Sequence, residues 1–480
     1  MKLMAKNTEI ELKLLVAKDN LKKLLQLDCV AGAMRENSCQ KRRLVSSYYD
    51  TEDLAFKRNG IAYRVRSKGD GSYEATVKTS VRNAAGLSER LELNLPLNNA
   101  RAKLDGFAEL GLGYELTELA PNGVSKLFTV TVQRTTYILD LQGAVAELAI
   151  DHGKITAGKA VDKIDEIEIE LLEGDKGALL QLAAEIAAQV PLFVEKRSKF
   201  ARGLALRGIA SDEEPLTDKL GNGLVKAELL TAIAAHGEQL FALKNAIEAN
   251  VNEKTLKALR RELLVLRSLT ALADVSPCAL LEEGLALVNE VRCLLDLQAL
   301  WQLLQLRGGL SGRTSLQKKL SELTSAALEE LQLYAEQGRF TAIIFALTSQ
   351  VYAADVADES VESRVRASLK EWQQELAQKQ DKAAANAEAA LEEENEQDKP
   401  EDMLAQRLLA AENICALARC CNMKAAAKAA EAAKKQRRQL NKQALLAAWQ
   451  ETLANICELS SSKLLYREAG MVLGYLLAKA

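Results

Sequence analysis

Apolar and polar residues change their rhythm once along the chain. Up to about residue 205 they alternate in short runs: "TEIELKLLV", "RLVSSYYDT", "GIAYRVRSK", "SYEATVKTS", "SERLELNLPL", "FTVTVQRTTYILDL", "AVAELAIDHGKI" and "IDEIEIELLEG". Period-two runs separated by "SKGDGS", "VRNAAG", "LQGA" and "DHGK" predict eight antiparallel strands joined by hairpins, hence a barrel-like sheet. Helical patterns flank it at residues 17–27 and 174–190, with a short third helix expected after Pro191. From residue 224 onward the apolar residues recur at three and four, as in "EKTLKALRRELLVLRSLTALAD", which predicts an all-helical bundle. The fold class is therefore α+β. We expect a barrel domain over 6–205, a linker over 206–223 around "SDEEPLTD", and a helical domain over 224–480. The acid- and alanine-rich stretch 380–402 reads as a solvated helix end or a connection.

In a strand, residues two apart share a face. Glu9, Glu11 and Lys13 therefore form one polar row, and so do Arg64 with Arg66, Thr76 with Lys78, Arg90 with Glu92, Glu147 with Asp151, and Glu166 with Glu168 and Glu170. Each row alone could face water. Together they suit a different arrangement, because stacked carboxylates repel on an open face but are what an oxygen-ligated divalent cation requires. Arg64, Arg66, Lys78, Arg134 and Lys199 supply the complementary donors for phosphate oxygens. A sheet closed with these rows inward would hold a metal-complexed polyphosphate, its apolar rows packing outward against helices.

Composition narrows the chemistry. A net charge of -3 with 27% charged residues argues against nucleic-acid binding by bulk charge, and no apolar run is long enough for a signal peptide or membrane span, so a cytoplasmic protein is expected. Two histidines, His152 and His236, leave little for imidazole chemistry, and the eight cysteines show no metal-knuckle spacing.

"EIELK" resembles the ExExK signature of the CYTH domain, the triphosphate tunnel metalloenzymes. "YYDTEDLAFKRNGIAYRVR", "ATVKTS", "LSERLEL", "VQRTTYIL", "AELAIDHGKI", "IDEIEIELLEGD" and "SKFARG" follow in the family's order. The resemblance implies an eight-stranded tunnel and hydrolysis of a triphosphate with Mg²⁺ or Mn²⁺. It implies catalytic roles for Glu9, Glu11 and Lys13. Substrate contacts would come from Lys13, Arg64, Arg66, Lys78, Arg90, Arg134, Lys199 and Arg202, and metal contacts from Glu9, Glu11, Glu147, Asp151, Glu168 and Glu170. Inorganic tripolyphosphate is the expected substrate, since aromatic residues are only 4% and a thiamine ring would want stacking surface. A non-catalytic polyphosphate binder, and thiamine triphosphatase or adenylate cyclase activity on the same scaffold, are the alternatives.

The two-domain order is similar to the CYTH–CHAD fusion of bacterial inorganic triphosphatases, with polyphosphate as a further partner. Residues 253–272 resemble the CHAD signature helix loosely: Lys257 stands where its histidine is expected, Arg260 and Arg267 match its arginines, and Leu264 and Val265 replace an arginine pair. Lys257, Arg260, Arg261 and Arg267 share one flank, which reads as an anion face or as a solvated flank. The second domain is expected to be a degenerate member with a structural or regulatory role.

Overall fold

The computed structural model describes residues 8–79, 82–84, 87–195, 197–210, 218–308, 315–356, 359–377, 400–458, 468, 469 and 472. The chain divides into two compact units, residues 1–215 with 337–349, and residues 216–336 with 350–480. Part of the expected linker, 211–217, and most of the acid-rich stretch, 378–399, lie outside the described residues.

The first unit is built on ten strands: β1 (Thr8–Leu15), β2 (Gln40–Asp50), β3 (Ala62–Ser67), β4 (Tyr73–Lys78), β5 (Arg82–Ala84), β6 (Leu87–Leu97), β7 (Ser125–Leu141), β8 (Ala144–Ala157), β9 (Ala160–Gly174) and β10 (Phe193–Val194). Eight of them close in the order β1-β9-β8-β7-β2-β3-β4-β6, with β6 returning to β1 through Thr8↔Leu91 to Leu12↔Leu87. All pairings are antiparallel, and β5 and β10 add only short edges to β6 and β1. Closure leaves the barrel without a free edge.

Helices cover the outer apolar rows. On one side lie α1 (Lys18–Leu25), α2 (Asp28–Ala31) and α5 (Lys176–Gln189), the last capped by the Asp175 carboxylate accepting from the Gly177 amide. On the other, α3 (Ala55–Arg58), a single π-turn (Ala108–Leu112) and α4 (Leu116–Leu119) bury Phe56, Tyr63, Val77, Leu93, Phe107 and Leu116 in one cluster. The "YYDT" motif positions α3: Asp50, fully buried, accepts from the amides of Thr51, Phe56 and Lys57, and the Thr51 hydroxyl accepts from Ala55 N.

"DHGK" is not a turn. Strand β8 runs through residues 151–154 and reverses only at Gly158, whose φ is +61°. Gly153 sits in mid-strand because β7 approaches too closely for a side chain: an added Cβ would lie 2.0 Å from the Thr131 carbonyl oxygen.

The expected third helix is α6 (Lys199–Leu206), started by Ser198, whose hydroxyl accepts from the Ala201 amide. The remaining helices are α7 (Val225–Ala249), α8 (Glu253–Leu272), α9 (Ala279–Gly308), α10 (Ser315–Glu336), α11 (Arg339–Ala353), α12 (Val361–Ala377), α13 (Pro400–Cys420) and α14 (Lys424–Glu458). Most of α11 belongs to the barrel unit, where Gly338 lies so close to Leu192 that a Cβ would meet its carbonyl oxygen at 2.7 Å. No described helix is long and apolar enough to cross a membrane.

Candidate functional site

The polar rows face the barrel lumen. Glu9 and Glu11 are as buried as the apolar residues that alternate with them, so their partners must come from inside. Glu9 takes Lys78 Nζ at 2.6 Å and Arg90 Nε at 2.6 Å. Lys78 belongs to β4, and β6 lies between β4 and β1, so this pair bridges the inner face of β6. Arg90 also reaches Glu11 at 2.6 Å, and Lys13 lies 3.4 Å from Glu11 and 3.6 Å from Glu168. Lys13 is therefore held charged: burial opposes its ammonium, but Glu11 and Glu168 outweigh burial and raise its pKa.

Deeper along β8 and β9, Asp151, Glu166 and Glu168 each bring an oxygen to within 4.8 Å of the others. Lys199, reaching in from α6, places its ammonium 2.8 Å, 2.5 Å and 2.8 Å from Asp151, Glu166 and Glu168. Arg134 forks onto Asp151 with two 2.7 Å bonds and also reaches Glu168. Burial would raise the Asp151 and Glu168 carboxyls, but Lys199 and Arg134 overcome it and hold both below their ordinary values. Arg202 is committed to Asp162 at 2.8 Å, to Glu166 at 3.0 Å and to the Lys163 carbonyl, which ties α6 to β9.

The opposite wall is basic. Arg64 is buried on β3, 3.7 Å from Glu92, and Arg66 donates to the Ser46 hydroxyl at 2.9 Å. Burial, with Arg64 and Arg134 nearby, pushes the Arg66 guanidinium down to about 10. Lys78 completes this wall, bridging Glu9 to Glu92 at 2.6 Å.

Two of the expected acids differ from the rest. Glu170 faces Glu11 across β1 and Glu147 across β8, and neither Glu170 nor Glu147 forms an ion pair among the described residues. Burial, then the charges of Glu9, Glu92 and Glu11, push Glu170 up to about 8, and burial raises Glu147 as well. Lys78 acts on Glu170, and Arg134 and Arg42 on Glu147, but burial and the neighbouring acids outweigh them. Hard carboxylate oxygens in that number fit a divalent cation such as Mg²⁺ or Mn²⁺. By contrast, Lys199, Arg134 and Arg202 already pair with the Asp151–Glu166–Glu168 trio.

Two further carboxylates stand on the same inward rows as the expected site residues. Glu92 pairs with Lys78 and Arg64, and Glu166 with Lys199 and Arg202. Both stand in the alternating rows already quoted, so strand parity could have included them. Ser46 and Tyr48 gave no comparable signal, since a serine or tyrosine on an inward row is ordinary barrel packing.

The helical unit treats its candidate cations differently. Arg260 and Arg267 both bond the buried Glu412 of α13, Arg267 at 2.8 Å, so they form an internal ion cluster and neither a free anion face nor a solvated flank. Lys257 pairs with Glu253 along α8, and His236 lies buried with its Nδ1 2.8 Å from Glu262.

A closed antiparallel barrel with an acid-lined and a base-lined wall belongs to the class of proteins that can enclose a polyanion with a cation. Residues 7–204 match the family model of the CYTH domain. An inorganic triphosphatase of Haemophilus influenzae is 29% identical over 163 residues, 34% of this chain and 46% of that protein, so the chain spans less than half of that relative's length. The stretch matched by the CYTH model coincides with the barrel strands and α6. Among solved structures, a Hippeastrum adenylyl cyclase candidate described as having a dominant triphosphatase activity is 18% identical with a TM-score of 0.30, over 42% of this chain and 96% of that one. The RNA triphosphatase domain of a mimivirus mRNA capping enzyme is 12% identical with a TM-score of 0.26, over 38% and 90%.

Proposed function

We propose that the barrel hydrolyses inorganic tripolyphosphate to diphosphate and phosphate with Mg²⁺ or Mn²⁺. The observation that carries this reading is the pairing of a basic wall (Arg64, Arg66, Lys78) with Glu147 and Glu170, carboxylates that form no ion pair among the described residues, beside Glu11. A pure anion binder would have no use for that acidic wall. Phosphoryl transfer asks a protein mainly for positioning and charge neutralisation, which are what these residues can give. Arg64, Arg66, Lys78, Arg90, Arg134 and Lys13 would bind the phosphate oxygens and stabilise charge gained by the leaving diphosphate. Glu9, Glu11, Glu147 and Glu170, with Asp151 and Glu168 behind them, would hold the cation. When bound, the cation supplies charge neutralisation and a more acidic water. In the reaction, the water oxygen forms a bond to phosphorus and the bridging P–O bond breaks with its electron pair going to diphosphate. The water's proton leaves to a lumen carboxylate or to solvent.

The test is phosphate release from tripolyphosphate, ATP and thiamine triphosphate by the whole chain, with Mg²⁺, with Mn²⁺ and with chelator. Cation-dependent release fastest from tripolyphosphate is expected. Absence of release from all three by folded protein would remove the enzyme reading, and a preference for thiamine triphosphate or ATP would remove the substrate.

A further inference from the structure

Two cations of the basic wall share one carboxylate. Lys78 Nζ stands 2.6 Å from Glu9 Oε1 and 2.6 Å from Glu92 Oε2, and the other Glu92 oxygen lies 3.7 Å from the Arg64 guanidinium. Once a divalent cation takes the Glu9 oxygens, Glu92 is the partner that Lys78 keeps. The direction of that one carboxylate then decides where Lys78 and Arg64 point. The last torsion of a glutamate side chain is broad, so Glu92 cannot fix its own plane.

A second pair of side chains on the same face fixes it. Asn94 follows Glu92 by two residues on β6 and donates Nδ2 to Glu92 Oε1 at 3.0 Å. Thr76 of β4 pairs with Arg64 on one side and with Asn94 on the other, and its hydroxyl lies 2.7 Å from Asn94 Oδ1. Burial opposes a charge on Glu92, but Lys78 and then Arg64 outweigh it and hold the carboxyl well below its ordinary value. An ionised carboxylate only accepts, so Asn94 must turn its amide NH₂ toward Glu92. The Asn94 oxygen consequently faces Thr76, whose hydroxyl has to donate. Flipping the amide would set Oδ1 against Oε1. The bonds therefore run in one direction, from a fully buried hydroxyl through Asn94 to the carboxylate that both cations face.

We propose that Thr76 and Asn94 are positioning residues: by orienting the Glu92 carboxylate they hold Lys78 and Arg64 where the triphosphate is bound. This rests on the triphosphatase reading and adds to it two neutral residues that need not touch substrate, metal or the reacting atoms. Their effect passes through Glu92 and falls on how tightly the substrate is held. Because they act in series, removing either one releases the same carboxylate. Their losses should then overlap and not add.

The test uses the full chain with Mg²⁺ and tripolyphosphate, comparing the parent with Thr76→Val, Thr76→Ser, Asn94→Ala and the double variant Thr76→Val with Asn94→Ala. Thr76→Val keeps the shape and removes the donor, whereas Thr76→Ser keeps the donor. Asn94 is exposed, so its truncation leaves the barrel packing intact. Thermal midpoints check that each variant is folded. Thr76→Val and Asn94→Ala should each raise KM about tenfold, the scale of a lost bond to a charged group, with a smaller change in kcat. Thr76→Ser should return KM to within about twofold of the parent, and the double variant should be no weaker than Asn94→Ala by more than about twofold. A purely structural loss would lower kcat through the folded fraction and leave KM alone. Parental KM in folded Thr76→Val or Asn94→Ala, a Thr76→Ser as impaired as Thr76→Val, or losses that multiply in the double variant would each overturn the relay. If the parent binds tripolyphosphate without cleaving it, the hydrolysis reading falls, and Kd values from calorimetry on the same five proteins decide the relay by the same ratios.

Discussion

Glu11 and Lys13 stand two apart on β1, facing Glu170 and Glu168 respectively across β9. Strand parity places them on one face and nothing in their spacing says how deep they lie, which is why the acidic and basic rows were legible while the division of labour between Asp151–Glu166–Glu168 and Glu147–Glu170 was not. That division depends on where Lys199 arrives, and Lys199 comes from a helix distant in sequence. Replacing Glu11 with Gln, or Lys13 with Ala, is expected to lower tripolyphosphate turnover by at least about a hundred- to a thousandfold; steady-state kinetics with Mg²⁺ would check it. Glu170 gives a pH prediction. Its carboxyl rises from an ordinary 4.5 to about 8 in the folded chain, so between those values the folded state holds the extra proton. Stability therefore falls as pH rises through that window. Metal-free protein should lose thermal midpoint from about pH 5 to about pH 8, less so in Glu170→Gln. Mg²⁺ should restore the midpoint in the parent and not in the variant, as differential scanning fluorimetry would read.

At the scale of elements, alternation predicted all eight barrel strands, yet it could not tell which of two rows faces the lumen. In β7 the sequence "FTVTVQR" turns Phe128, Val130 and Val132 inward beside Arg134, with Thr129 and Thr131 on the other face. One strand therefore lines a charged lumen over part of its length and packs against α6 over the rest. The same limit explains "DHGK", whose glycine marks a close strand approach and not a reversal. Gly203 tests that packing mechanically: Gly203→Ala should cost about 1–3 kcal/mol by overpacking against Phe128. Urea titration would measure this. Because Lys199 rides on the same helix, turnover should fall alongside, and a variant with parental stability and rate would show that α6 is not seated as described.

At the scale of the molecule, the change from period two to a helical period marked two architectures but not the ownership of each helix. Residues 339–353, "RFTAIIFALTSQVYA", are apolar on nearly every face, and a pattern of that kind says that a helix is buried without saying in which unit. Residues 337–349 nonetheless group with the barrel. Truncation after residue 210 should accordingly give a barrel with a lower thermal midpoint and more binding of an apolar dye than the full chain, and equal midpoints would contradict that grouping. The return of this segment also sets a schedule for synthesis. A ribosome adding about 5–20 residues per second needs on the order of ten seconds to pass from residue 216 to residue 349. For that interval the nascent barrel has every strand and lacks its last helix, so the newborn protein depends on whatever shields that patch until its own chain arrives.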